Sequence, residues 1–200
     1  MAEHNIETEV KLWVDDLVGV EAKLVSLGAE LHAPRVFERN SRYDHTDGSL
    51  TRRGIVLRLR HDNRARLTYK ESGTLLDGIM SRFEAEVEIS DFDTMALILE
   101  RLGFVFTFAY EKYRTTYLLS GSEVTLDELP FGTFVEIEGT HQTIQSSLSA
   151  LGLNEAVRVK MSYAGAFSVL RDQYGLPFTD ATFENFEGIV LSPGIKDLLK

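Results

Sequence analysis

The feature that most constrains this chain is a pattern of charge with the period of a β-strand. In Glu7-Thr8-Glu9-Val10-Lys11 charged residues alternate with neutral ones. Successive side chains of a strand point to opposite faces, so Glu7, Glu9 and Lys11 share one face while Ile6, Thr8, Val10 and Leu12 share the other. The second face reads as a core face. A strand with one wet face would show the same alternation, so one stretch decides little. The pattern returns, however, in Arg58 and Arg60, in Thr68 and Lys70, and in Arg82, Glu84, Glu86 and Glu88. It returns again in Lys112 and Arg114, in Thr125 and Asp127, and in Glu136 and Glu138. Some stretches present only acids and others only bases. A solvated surface has no reason to sort charge by strand, whereas a groove that holds a metal ion and an anion does.

About eight strands with both signs turned inward predict a closed or nearly closed barrel with a polar interior, because inward side chains alternate along every barrel strand. The acid-bearing stretches at Glu7, Glu84 and Glu136 each lead through a helix to a glycine, at Gly28, Gly103 and Gly152, where a helix C-cap belongs. The apolar stripe Leu17, Val20, Leu24, Leu27 has helical period, as does Met95, Leu97, Ile98, Leu102. Further helices are expected over Gln142–Leu151 and Ser162–Gln173. Ala33-Pro34 reads as a break, residues 35–43 as an extended segment carrying Arg35, Arg39 and Arg42, and residues 72–78 as a loop. The predicted fold class is therefore α+β: a single-domain antiparallel eight-stranded β-barrel with helices packed outside. Residues 1–175 would form the barrel domain and residues 176–200 a packed C-terminal extension with no assigned role.

Composition narrows the chemistry. With no cysteine in 200 residues, a thiolate site is excluded and any metal must be held by oxygen or histidine. His4, His32, His45, His61 and His141 have no ligand spacing, which leaves the carboxylates. A formal charge of −10 disfavours a nucleic-acid or membrane-surface partner, which would need excess Lys and Arg. No apolar run approaches the roughly 18 residues of a membrane span, and the start of the chain lacks a leader pattern. The expectation is a cytoplasmic protein, a monomer or homodimer.

The ordered set of charged stretches resembles the CYTH family of triphosphate tunnel metalloenzymes, which groups class IV adenylyl cyclases with thiamine triphosphatases and inorganic triphosphatases. The residues that carry the resemblance are Glu7-x-Glu9-x-Lys11, Leu57-Arg58-Leu59-Arg60, Leu67-Thr68-Tyr69-Lys70, Arg82-x-Glu84-x-Glu86, Lys112-x-Arg114, Leu126-Asp127-Glu128, Glu136-Ile137-Glu138 and Lys160-x-Ser162-Tyr163. The tail after Gly175 is unmatched. The resemblance implies Mg²⁺ or Mn²⁺ held by Glu7, Glu9, Glu136 and Glu138, with Glu86 and Asp127 assisting. It implies a triphosphate contacted by Arg58, Arg60, Arg82, Lys112, Arg114 and Lys160, and catalytic roles for Lys11 and Lys70. The residues agree independently: arginine suits bidentate phosphate contact, and carboxylates beside phosphate call for a hard cation between them. The substrate would be inorganic triphosphate, thiamine triphosphate or ATP. Hydrolysis is the leading reading and cyclisation of ATP the alternative. A noncatalytic polyphosphate or nucleotide-binding module is the alternative of another class.

Overall fold

The computed structural model describes residues 5–191 and 194–200, so His4 and the first four positions of the expected 1–175 unit lie outside the described residues, as do positions 192 and 193 of the extension. The elements in order are β1 (Ile6–Trp13), α1 (Leu17–Ser26), β2 (Glu30–His45), α2 (Ser49–Arg52), β3 (Val56–His61), β4 (Ala65–Lys70), β5 (Thr74–Leu76), β6 (Ile79–Ile89), α3 (Phe92–Arg101), β7 (Phe104–Leu119), β8 (Ser122–Leu129), β9 (Gly132–Glu138), α4 (His141–Leu151), β10 (Val157–Arg158) and α5 (Tyr163–Tyr174), with a 3-10 turn at Ile195–Leu199. The order β1-β9-β8-β7-β2-β3-β4-β6 closes on itself because β6 pairs back onto β1, from Ile6 opposite Phe83 to Glu9 opposite Met80. This is the expected eight-stranded antiparallel ring. The short β5 and β10 attach to β6 and β1 outside it.

Alternation sorts the two faces of the ring. Outward-facing Val10, Leu12, Val124, Leu126, Val135 and Ile137 form one buried cluster with Val20 and Leu24 of α1 and Ile144 and Leu148 of α4. Leu57 and Leu59 form another with Leu99 of α3. Side-chain oxygens of Asp16, Asp91, Thr140 and Ser162 accept from backbone N–H groups in the first turns of α1, α3, α4 and α5, which fixes where each helix begins.

A third cluster sits inside the ring. On β7, Phe108 and Tyr110 belong to the same inward row as Lys112 and Arg114; on β9, Phe134 precedes Glu136 and Glu138 in the same way. These aromatics pack on Tyr163, Ala166 and Phe167 of α5 and on Phe178, Ala181 and Phe186 of the tail. The helix and tail therefore fill the barrel at one end. The tail also pairs with the part of β7 that β8 leaves open, where Ala181 N–H donates to Ala109 O and Glu111 N–H to Ala181 O.

Two local expectations change. The break at Ala33-Pro34 is instead part of β2, because register shifts on either side of Ala33 let the strand bulge around a proline that has no N–H to give. The loop over 72–78 contains β5. Its partner is β6, across Asp77-Gly78, both at positive φ, the backbone of a tight hairpin turn. β7 runs without a break from Phe104 to Leu119, and the two-residue β10 pairs with the end of β1.

Phe167 is 2% exposed at the centre of the filled end. Phe167→Ala should lower the free energy of unfolding by about 3–5 kcal/mol, whereas Leu97→Ala, on an exposed position of α3, should change it by about 0.5 kcal/mol or less. Urea denaturation followed by circular dichroism measures both.

Candidate functional site

The unfilled part of the barrel is a cavity of about 340 Å³. Among the described residues nine lysines and arginines and seven glutamates line it, so a chain with a formal charge of −10 carries there an interior surplus of two positive charges when all are ionised. Along β9 the inward row passes from buried Phe134 through half-buried Glu136 to exposed Glu138, which marks the direction from floor to mouth.

Cations and carboxylates neutralise one another across strands. Lys70 Nζ lies 2.7 Å from Glu7 and 2.8 Å from Glu84, Arg82 bridges Glu7 at 2.8 Å and Glu9 at 2.9 Å, and Lys11 lies 3.1 Å from Glu136. Arg114 also pairs with Glu136. Burial raises the Glu7 carboxyl, but Lys70 and Arg82 outweigh it and bring it down to about 2. Burial likewise opposes ionisation of Glu136, and Lys11, Arg114 and Lys112 overcome it, leaving the group well below the usual carboxylate range.

Glu138 behaves in the opposite way. It stands directly across from Glu9 on β1 and from Glu123 on β8, so three acids form a row over three adjacent strands. Loss of water and the charges of Glu7, Glu123 and Glu9 push its carboxyl up to about 7, and no described cation pairs with it. An acidic row that repels its own protons into place is a fit for a divalent cation. Among the described residues no three carboxylates or imidazoles already converge on one point, since Glu7 and Glu9 are drawn away by Lys70 and Arg82. Holding an ion would require those pairs to part.

The residues expected from sequence separate into groups. Glu7, Glu9, Glu138, Lys11, Lys70 and Arg82 come together on the β1 side, and Glu136 lies between Lys11 and Arg114. Glu86 is not with the acids: it accepts from Thr68 Oγ1 at 2.7 Å and Arg60 at 2.9 Å, with Arg58 at 3.7 Å, on the opposite wall. Asp127 is fully buried and does not line the cavity. Its oxygens accept from Lys112 at 3.0 Å, Arg114 Nε at 2.7 Å and the Tyr163 hydroxyl at 2.8 Å, so they are committed to aligning cations from beneath. Lys160 is exposed and lines a small side cavity of about 60 Å³ that shares Glu9, Lys11 and Arg82 with the tunnel. Tyr163 also lies under two lysines, with Lys11 Nζ 4.3 Å and Lys112 Nζ 5.2 Å from its ring centre.

Sequence reasoning passed over Arg42, Arg66 and Glu123, which line the cavity, and Glu38, 1% exposed, which faces Lys112 at 3.6 Å and Arg60 at 3.7 Å. Burial opposes ionisation of Glu38 and four surrounding cations reverse it, so it stays charged. The alternation Glu38-x-Asn40-x-Arg42, inside the segment 35–43 read as extended, was the available signal.

The CYTH domain profile matches residues 5–160. A curated relative from Methanocaldococcus jannaschii, provisionally named an adenylate cyclase, is 28% identical over 171 residues, 79% of this chain and 96% of its own. A protein of Vibrio parahaemolyticus, also provisionally named an adenylate cyclase, has a crystal structure that superposes with a TM-score of 0.73 at 21% identity, covering 82% of this chain and 98% of that one. A protein from Hippeastrum, provisionally named an adenylyl cyclase and described as having a dominant triphosphatase activity, superposes with a TM-score of 0.58 at 23% identity, over 84% of this chain and 96% of that one.

If Glu138 must lose its proton to receive an ion, Mg²⁺ affinity in the absence of substrate should rise between pH 6 and 8 as the carboxyl passes about 7, with a proton released on binding. Glu138→Gln should weaken binding and flatten this dependence. Calorimetric titration in two buffers of different ionisation enthalpy measures both.

Proposed function

Because the chain belongs to the CYTH domain family, we propose that it is a metal-dependent enzyme that binds a triphosphate in the barrel and hydrolyses it. The observation that carries this reading is the interior surplus of cations beside an acidic row, in a cavity whose lining is mostly charged. An anion with charge spread along a chain fits the first, and a hard cation fits the second.

Substrate and ion would bind by exchange of partners. Phosphate oxygens take the forks of Arg58, Arg60, Arg82 and Arg114 and the point charges of Lys11 and Lys70. Each cation so engaged releases a carboxylate. Glu7 and Glu9, freed from Lys70 and Arg82, and Glu136, freed from Lys11, would hold the ion together with Glu138. Mg²⁺ or Mn²⁺ would polarise the phosphoryl group and shield the acids from it. Asp127 and Glu86 keep the remaining cations aimed. Tyr163, whose hydroxyl burial and Asp127 hold well above its ordinary range, stays a hydrogen-bond donor.

In hydrolysis a water oxygen bonds to the terminal phosphorus, the bond to the bridging oxygen breaks, and the surrounding cations neutralise the departing oxygen. Among the described residues no histidine lines the cavity, so the proton of the attacking water leaves to solvent or to a carboxylate, and activity should be greatest at alkaline pH. The name of the Methanocaldococcus relative favours a second reading, in which a ribose hydroxyl attacks the α-phosphorus of ATP and pyrophosphate departs. The charged lining favours recognition of the phosphate chain over a base, as does the triphosphatase activity described for the Hippeastrum protein.

Purified protein incubated with inorganic triphosphate, thiamine triphosphate and ATP in turn should hydrolyse inorganic triphosphate at least as fast as ATP, and EDTA should stop it. Cyclic AMP with stoichiometric pyrophosphate, and little hydrolysis of inorganic triphosphate, would establish the cyclase instead. Arg58→Ala and Lys70→Ala should each reduce kcat/KM by an amount equivalent to about 2–5 kcal/mol, while Lys23→Ala on α1 should leave it unchanged.

A further inference from the structure

Eight of the nine cations that line the tunnel have a carboxylate oxygen within 4 Å among the described residues; the ninth is Arg42. Its guanidinium forms no hydrogen bond to a described residue, although its backbone carbonyl accepts from Thr107. On one side it stands directly across from Arg58, and on the other from Phe108 of the aromatic floor. Arg58 in turn donates to the Tyr110 hydroxyl at 3.2 Å. Two guanidinium groups are thus adjacent across β2 and β3 at the filled end of the barrel. Like charges placed opposite one another repel, and a half-buried cation without a partner loses part of its solvation uncompensated. Burial pulls the Arg42 guanidinium below its ordinary range, and Arg58 and Arg82 add to the effect while Tyr110 and Asp44 oppose it. Among the described residues no side chain pairs with this half-buried guanidinium, which lines the tunnel.

A tetrahedral oxyanion removes both costs at once, since it offers several acceptors to two forks of N–H donors. We propose that Arg42 and Arg58 form an anion subsite at the floor of the tunnel that takes the phosphoryl group entering deepest. This assignment rests on the triphosphate reading and adds to it a specific place for one end of the chain. Arg42 binds; it has no part in holding the acids in position, because it pairs with none of them.

Calorimetric titration of inorganic triphosphate in the presence of Mg²⁺, into the wild type, Arg42→Gln, Arg42→Lys and Arg58→Gln, tests it alongside thermal unfolding without ligand. Arg42→Gln should bind about ten- to a hundredfold more weakly, and Arg42→Lys should recover part of the loss. The unliganded glutamine variant should melt at the same temperature as the wild type or higher, because a half-buried cation facing Arg58 has been removed. Unchanged affinity in Arg42→Gln, with affinity lost in Arg58→Gln, would overturn the subsite and leave the triphosphate reading standing. A lower melting temperature in Arg42→Gln, with no recovery by lysine, would make Arg42 structural and also overturn it. A wild type that does not bind inorganic triphosphate would overturn the triphosphate reading, and the subsite with it.

Discussion

The whole molecule depends on one electrostatic constraint: a sheet has been closed around its charged face. Bringing lysines, arginines and glutamates into a cavity of this size removes most of their water, and only mutual pairing across strands makes that tolerable. The pairs are close, as in Lys70 between Glu7 and Glu84, but such pairs contribute little net stability once the cost of desolvation is counted. Stability has to come from elsewhere. It comes from the outward-facing Val, Leu and Ile residues under α1, α3 and α4 and from the aromatic cluster around α5. The apolar face of each strand holds the barrel together, and its polar face is left free to be unfavourable.

This division of labour explains why so much was legible in the sequence. Charge at period two next to apolar residues at period two identifies both faces of a strand, so the ring and the inward direction of Glu7, Arg58 and Glu136 could be read directly. Helix ends were readable because Asp16, Asp91 and Ser162 cap them locally. What escaped depended on distant partners. Pro34 looked like a break because a bulge against β7 cannot be seen from β2 alone. β5 is only three residues long and exists through its pairing with β6. Asp127 and Glu86 carry the same charge as Glu138, and only the neighbouring strands show that the first two are surrounded by cations and the third by acids.

Residues 176–191 and 194–200 show the same limit in another form. Their composition gave no pattern with a period, because they make neither a helix nor a strand of any length. Their aromatic and aliphatic side chains match an interior surface built by β7, β9 and α5, and they cover backbone groups of β7 that would otherwise form an open edge. Such a match is a property of the surface as much as of the segment.

The filled end has a kinetic consequence. A barrel open at both ends could let a long polymer slide through, with cleavage at any point along it. Phe108, Phe134, Tyr163 and Phe167 close this one from within, so a linear molecule cannot pass from end to end and must back out the way it came. If the tunnel takes a phosphate chain as proposed, its depth would act as a ruler: the number of phosphoryl groups between floor and mouth, not the total length of the chain, would select which bond lies beside the acidic row.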